Sequence, residues 1–179
     1  MRSHSHLTRL IAAVLSVAVI FAHPTALASD REHQVKTGFI YAIAKYCDWD
    51  FTKKTDNRFV VGVFRNKAFD ADIDVLNGKS IHDRIVVVQK LSSESEIASC
   101  QVVIVGDVGA EAIRRIVRLS KNSGTLLIGD SEGFAQDGGA IELAIRDGKV
   151  RFDVNLQTAK SAGVTISAKL LRLADQVIR

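Results

Sequence analysis

Two Gly-Asp pairs are the sharpest chemical candidates in this chain. Gly106-Asp107 follows the apolar run VVIV, and Gly129-Asp130 follows LLI. If those runs are neighbouring parallel strands, both carboxylates stand at one carboxyl edge, where open α/β sheets place their sites. Such a pair could hold a hard cation. The competing reading makes Asp107 the cap of a helix starting near Ala110 and Asp130 a turn residue. Around Asp107, GDVGAE lies between a strand and a helix, but lacks G-x-G-x-x-G spacing and a Gly-Lys-Ser/Thr ending, so it is no phosphate loop. His33 and His82 have no Cys or His at metal-ligand spacing. No Ser-His-Asp set is identifiable from the sequence. Nothing here specifies a cofactor or a catalytic set.

The elements that must position these residues follow from periodicity. Val35, Phe39, Ile43 and Tyr46 share one face of a helix over Glu32–Tyr46. Strands are expected at Arg58–Phe64, Ile85–Val88, Val102–Val105 and Leu126–Ile128. Between them fall a short helix at Phe69–Leu76, a polar turn at Leu91–Ala98, and a helix at Ala110–Ser120 with Ala112, Ile113, Ile116 and Val117 inward. Arg114, Arg115, Arg118 and Lys121 form its basic outer stripe, a solvated surface or a face for an anionic partner. Asp147-Gly148 separates Ala140–Ile145 from Val150–Val154 and signals a two-residue hairpin. A helix capped by Asn155 follows, and another from Ser167, with Leu170, Leu171, Ala174, Val177 and Ile178 on one face. The fold class is therefore α/β: a single domain with a mainly parallel or mixed sheet of about six strands, helices on both faces, and a C-terminal hairpin followed by helices.

Residues 1–28 read as a cleaved secretory signal. Arg2 and Arg9 precede the 13-residue apolar run Leu10–Ala22, and Ala26-Leu27-Ala28 is a small-x-small cleavage site. The domain is then 29–179, 151 residues, with the formal charge reduced from +4 to +2. That balance demands no nucleic acid. Cys47 and Cys100 are its only cysteines. In an oxidising compartment they invite a disulfide worth about 3–5 kcal/mol on the chain-entropy model. The alternative is two thiols packed as small apolar side chains.

The wording of the chain is specific as well as its pattern. GFA, GG-x-I, DG-x-V-R-F-x-V-N-L, A-x-x-A-G-x-x-I-S and K-L-L-x-L-A occur in order after residue 132, preceded by VKTGFIYAIAKYCDW, LNGKSIHDRIVVVQKL and ASCQVVIV. This colinear set resembles the YfiR family of periplasmic proteins that repress a membrane-bound diguanylate cyclase. The resemblance implies a non-enzymatic periplasmic regulator whose partner is the periplasmic domain of an inner-membrane cyclase or related sensor, with a homodimer plausible. It also implies internal disulfides; Cys100 sits where the family pattern has a cysteine, whereas Cys47 does not match the usual partner position. A proline commonly follows the Trp of this pattern, and here Asp50 follows Trp49. Two other readings remain: a small-ligand sensor using the Gly-rich link 129–139, and a metal-dependent enzyme using Asp107 and Asp130.

Overall fold

The computed structural model describes residues 24–51, 56–70 and 72–179, with side chains from residue 31. The stretch Leu10–Ala22, and with it the signal-peptide reading, lies outside the described residues. Residues Glu32–Arg179 form one compact unit.

The chain begins with helix α1 (Pro24–Lys45) and a short strand, β1 (Cys47–Trp49). Strand β2 (Arg58–Phe64) leads through two short 3-10 turns, Lys67–Phe69 and Ile73–Leu76, to β3 (Ser80–Ile81) and β4 (Arg84–Leu91). A 3-10 turn at Glu94–Ser99 precedes β5 (Val102–Val105), α2 (Ala110–Ser120) and β6 (Leu126–Gly129). The hairpin is β7 (Ile141–Arg146) and β8 (Lys149–Asn155), then α3 (Leu156–Ala162), β9 (Val164–Ile166), α4 (Ala168–Leu171) and β10 (Gln176–Ile178).

Eight strands form one mixed sheet in the order β10-β8-β7-β6-β5-β2-β4-β3. Its centre, β4-β2-β5-β6-β7, is parallel. The β7–β8 hairpin is antiparallel, and both turn residues, Asp147 and Gly148, have positive φ, as a two-residue hairpin of the primed type requires. β1 and β9 pair separately.

Alternate residues of the central strands feed two cores, as period-2 strands buried on both faces must. Phe59, Val61, Val63, Ile104 and Ile128 meet Ile40 and Ile43 of α1 and Ala159 of α3. Val60, Phe64, Val103, Val105 and Leu127 meet Ile113 and Ile116 of α2. Helices thus cover both faces, as expected.

The C-terminus departs from expectation. Ser167 does cap α4, accepting from the Leu170 amide at 3.2 Å, but the helix lasts four residues. Val177 and Ile178, expected on its apolar face, lie instead in β10, pairing parallel with Val154 and Asn155 of β8. Pairing with an existing strand satisfies backbone groups that a short, uncapped helical extension would leave to solvent.

Candidate functional site

Strands β5 and β6 are parallel neighbours with Val105 opposite Gly129, so Asp107 and Asp130 do leave the sheet at one edge. The structure then treats them differently. Asp107 is exposed and does not cap α2; Gly109, at φ 75°, is the N-cap residue and no side chain caps that end. Asp130 is partly buried and engaged twice. Lys36 of α1 donates to its Oδ2 at 3.0 Å, and Asn66, just after β2, donates to its Oδ1 at 3.2 Å. Among the described residues, no group of three or more His, Cys, Asp and Glu is placed to hold a metal ion.

Lys36 is the residue sequence reasoning missed. Its side chain is only 6 % exposed, and its ammonium also meets Glu32 at 2.7 Å, one helical turn back. Burial pulls the ammonium down, but the bond to Glu32 and the charge of Asp130 outweigh it and hold the group above its usual 10.5.

Around this network lies an open cleft of about 520 Å³, whose charged lining is Glu32, Lys36, Asp130, Glu132, Glu142 and Arg146. Both cations are engaged internally. The Arg146 guanidinium forks onto the buried Asp153 at 3.0 and 2.6 Å and reaches Asp175 at 3.1 Å. The Asp153 bonds hold it well above its usual range. Glu142, also buried, accepts from the Ala135 amide at 3.1 Å. Lys36 with Glu32 and Asp130, and Arg146 with Asp153 and Asp175, are partly buried ion pairs that tie the sheet edge to α1 and to the C-terminal segment, while Glu132 and Glu142 have no cationic partner among the described residues.

In this topology a ligand crevice would open between β2 and β5, where the chain switches direction across the sheet. There the main chain after β2 comes close to Gly106. A Cβ on Gly106 would overlap the carbonyl oxygen of Arg65, so only glycine fits. Arg65 itself has φ 52°, and Asn66 beside it is buried.

Gly129 and, within the signature, Gly139 have a similar explanation. The Phe134 ring lies against Gly129 and Gly139; a Cβ on Gly129 would sit 2.5 Å from the ring, and one on Gly139 would collide with it. Phe134 is fully buried below α2, in the core with Ile113 and Ile116. Asn155 caps α3 through the Thr158 amide at 3.1 Å and donates to the Ala135 carbonyl at 3.0 Å. Trp49 is buried and donates to the Gly124 carbonyl at 2.8 Å. His82 contacts the Cys47 carbonyl at 2.8 Å, and His33 packs edge-on to Phe69.

The Cys47–Cys100 bridge that the sequence leaves open is not formed here. Both are buried thiols. Cys47 packs with the α1 core and Cys100 with the α2 core, its sulfur beneath Gly62, so the sheet itself stands between them. In the basic stripe Arg115 pairs with Glu94 at 2.8 Å, and Arg114, Arg118 and Lys121 face solvent.

Taken together, the fold and its edge define a small mixed-sheet α/β domain. The chain belongs to the YfiR/HmsC-like family (DUF4154), whose profile matches residues 33–175. A search of curated proteins finds no match. Among solved structures the fold is similar to an ABC domain in complex with L-Trp from Streptococcus pneumoniae, with TM-score 0.50 and 16 % identity over 82 % of this chain and 60 % of that one. It is also similar to a conserved domain protein from Vibrio cholerae, with TM-score 0.51 and 14 % identity over 79 % of this chain and 59 % of that one. The chain thus spans about 60 % of the length of these structures, and at such identities the likeness is one of fold.

Proposed function

We propose that this protein is a non-enzymatic periplasmic regulator. It binds the periplasmic domain of an inner-membrane signalling protein, a diguanylate cyclase in the first instance, and lowers cyclic di-GMP. Family membership across residues 33–175 carries the reading. The ion pairs of Lys36 and Arg146 support it, because they commit both cations of the cleft to holding the fold. Repression is then a population shift, with this protein bound more tightly to the inactive conformation of its partner. Export as a mature chain starting at Ser29 belongs to the same reading, and mass spectrometry of periplasmic protein tests it. Capture from detergent-solubilised inner membrane, with the protein as bait, tests the partnership. A cyclase should be recovered; recovery of none, although one is expressed, would contradict it.

A second reading, a small-ligand sensor, has the open cleft in its favour. Glu132 and Glu142 are the lining carboxylates without a cationic partner among the described residues, so a ligand there would carry a positive group. A thermal shift with amines and amino acids that is lost in Glu142→Gln separates this reading from the first.

A further inference from the structure

Three lysines gather around two tyrosines at the C-terminal end of α1. Lys45 and Lys79 place their ammonium groups 5.5 and 5.9 Å from the centre of the Tyr41 ring. Lys169 stands 4.9 Å from the centre of the Tyr46 ring and donates to the Tyr46 hydroxyl at 3.2 Å. The residues come from α1, the loop before β3, and α4. They are held there: Tyr41 donates to the Ser80 carbonyl at 3.0 Å, and the Tyr46 carbonyl accepts from the Ser167 amide at 3.1 Å.

No carboxylate lies within 4.0 Å of any of the three lysines among the described residues. Arg114, Arg118 and Lys121, on and just after α2, also lack acids among the described residues, so what sets the three lysines apart is their grouping on Tyr41 and Tyr46. Like charges gathered without acids repel, and cation–π contact offsets that only in part. Exposed Arg172 and Leu173 follow Lys169 on the next turn; Leu173 is 61 % exposed and Tyr46 39 %.

We infer that this surface docks onto an anionic phospholipid bilayer. Lysines supply attraction to phosphate, tyrosines sit at headgroup level with ring and hydroxyl in their preferred phases, and a protruding leucine reaches the acyl boundary. A bilayer accounts for the lysines, the exposed tyrosine and the exposed leucine together, and the vesicle experiment separates it from an acidic polypeptide. The inference goes beyond the proposed partnership and holds whichever protein the partner is.

Co-sedimentation of the full chain with phosphatidylglycerol vesicles, against phosphatidylcholine vesicles, tests it. Arg2, Arg9 and the apolar stretch Leu10–Ala22 are common to every variant, so their contribution cancels in the comparison of the variants with the parent. Each lysine near an anionic surface is worth roughly a five-fold gain in binding, so Lys45→Gln/Lys79→Gln/Lys169→Gln should bind phosphatidylglycerol about 100-fold more weakly. Binding should also weaken as salt is raised. The triple variant Arg114→Gln/Arg118→Gln/Lys121→Gln removes the same charge from α2 and should bind nearly as well as the parent. Unfolding midpoints check that both remain folded; if the first triple does not fold, Lys45→Gln alone should lose about five-fold. Equal binding to both vesicle types, equal loss in the two triples, or no loss at the lysine surface would overturn the inference. So would capture of an acidic protein by this surface without vesicle binding.

Discussion

Lys36 on α1 donates to the carboxylate of Asp130, at the end of β6, across 94 residues of sequence. The same ammonium holds Glu32, so one buried cation ties the first helix to the sheet edge. This relationship decides what the two edge aspartates do.

Asp130→Ala leaves Lys36 with a single partner. Breaking a fully buried pair costs roughly 3–5 kcal/mol. Asp130 and Glu32 keep some solvent contact, so a loss of about 2 kcal/mol is expected in urea denaturation. Asp107→Ala should stay within about 0.5 kcal/mol of the parent, because the exposed Asp107 neither caps nor pairs. An Asp107→Ala variant that unfolds as readily as Asp130→Ala would show that the edge is misread.

Stability should fall at high pH through the same group. The folded ammonium of Lys36 is held above its usual 10.5, so its contribution is complete below the unfolded value and is lost as pH rises through the folded one. Denaturation midpoints measured from neutral to strongly alkaline pH should drop in the parent, and the drop should be smaller in Lys36→Met. Matching alkaline profiles would contradict the assignment.

Gly139→Ala places a methyl group against the Phe134 ring and should cost about 1–3 kcal/mol by overpacking. Phe134→Leu should recover part of that loss in the double variant, because the ring is what the methyl meets. Additive losses in the double variant would argue against direct contact.

Much of the sheet was legible before the structure. Val102–Val105 is observed as expected, Arg58–Phe64 likewise, and the Asp-Gly hairpin has the signalled turn. β1, β3, β9 and β10 were not, because two or three residues carry no period and their pairing partners are remote in sequence. At the C-terminus the apolar spacing fits a helix, yet of Leu170, Leu171, Ala174, Val177 and Ile178 only Leu170 is fully buried; strand pairing decided the rest. Asp107 and Asp130 were placed at one edge correctly. Lys36 gave no signal, since an isolated lysine in a helix reads as a solvated residue. The signature glycines pointed to the family, but the reason for Gly139, the Phe134 ring, needs the fold.

Cysteine chemistry follows from the sheet between the two sulfurs. Labelling of the unfolded, non-reduced protein should give two adducts per chain. In the folded state Cys47 should resist alkylation at neutral pH, because burial, with Asp48 adding to it, pushes its thiol up to about 12. No adducts after unfolding would mean the chain is bridged in solution.

The central claim is regulatory, and cyclic di-GMP is its direct readout. In cells that express the partner cyclase, deletion of this protein should raise cyclic di-GMP and biofilm formation. In cells that lack the cyclase, deletion should change neither. Cyclic di-GMP measured in both backgrounds therefore tests the claim most directly: a rise that requires the cyclase is the expected result, and an unchanged level with the cyclase present would contradict it.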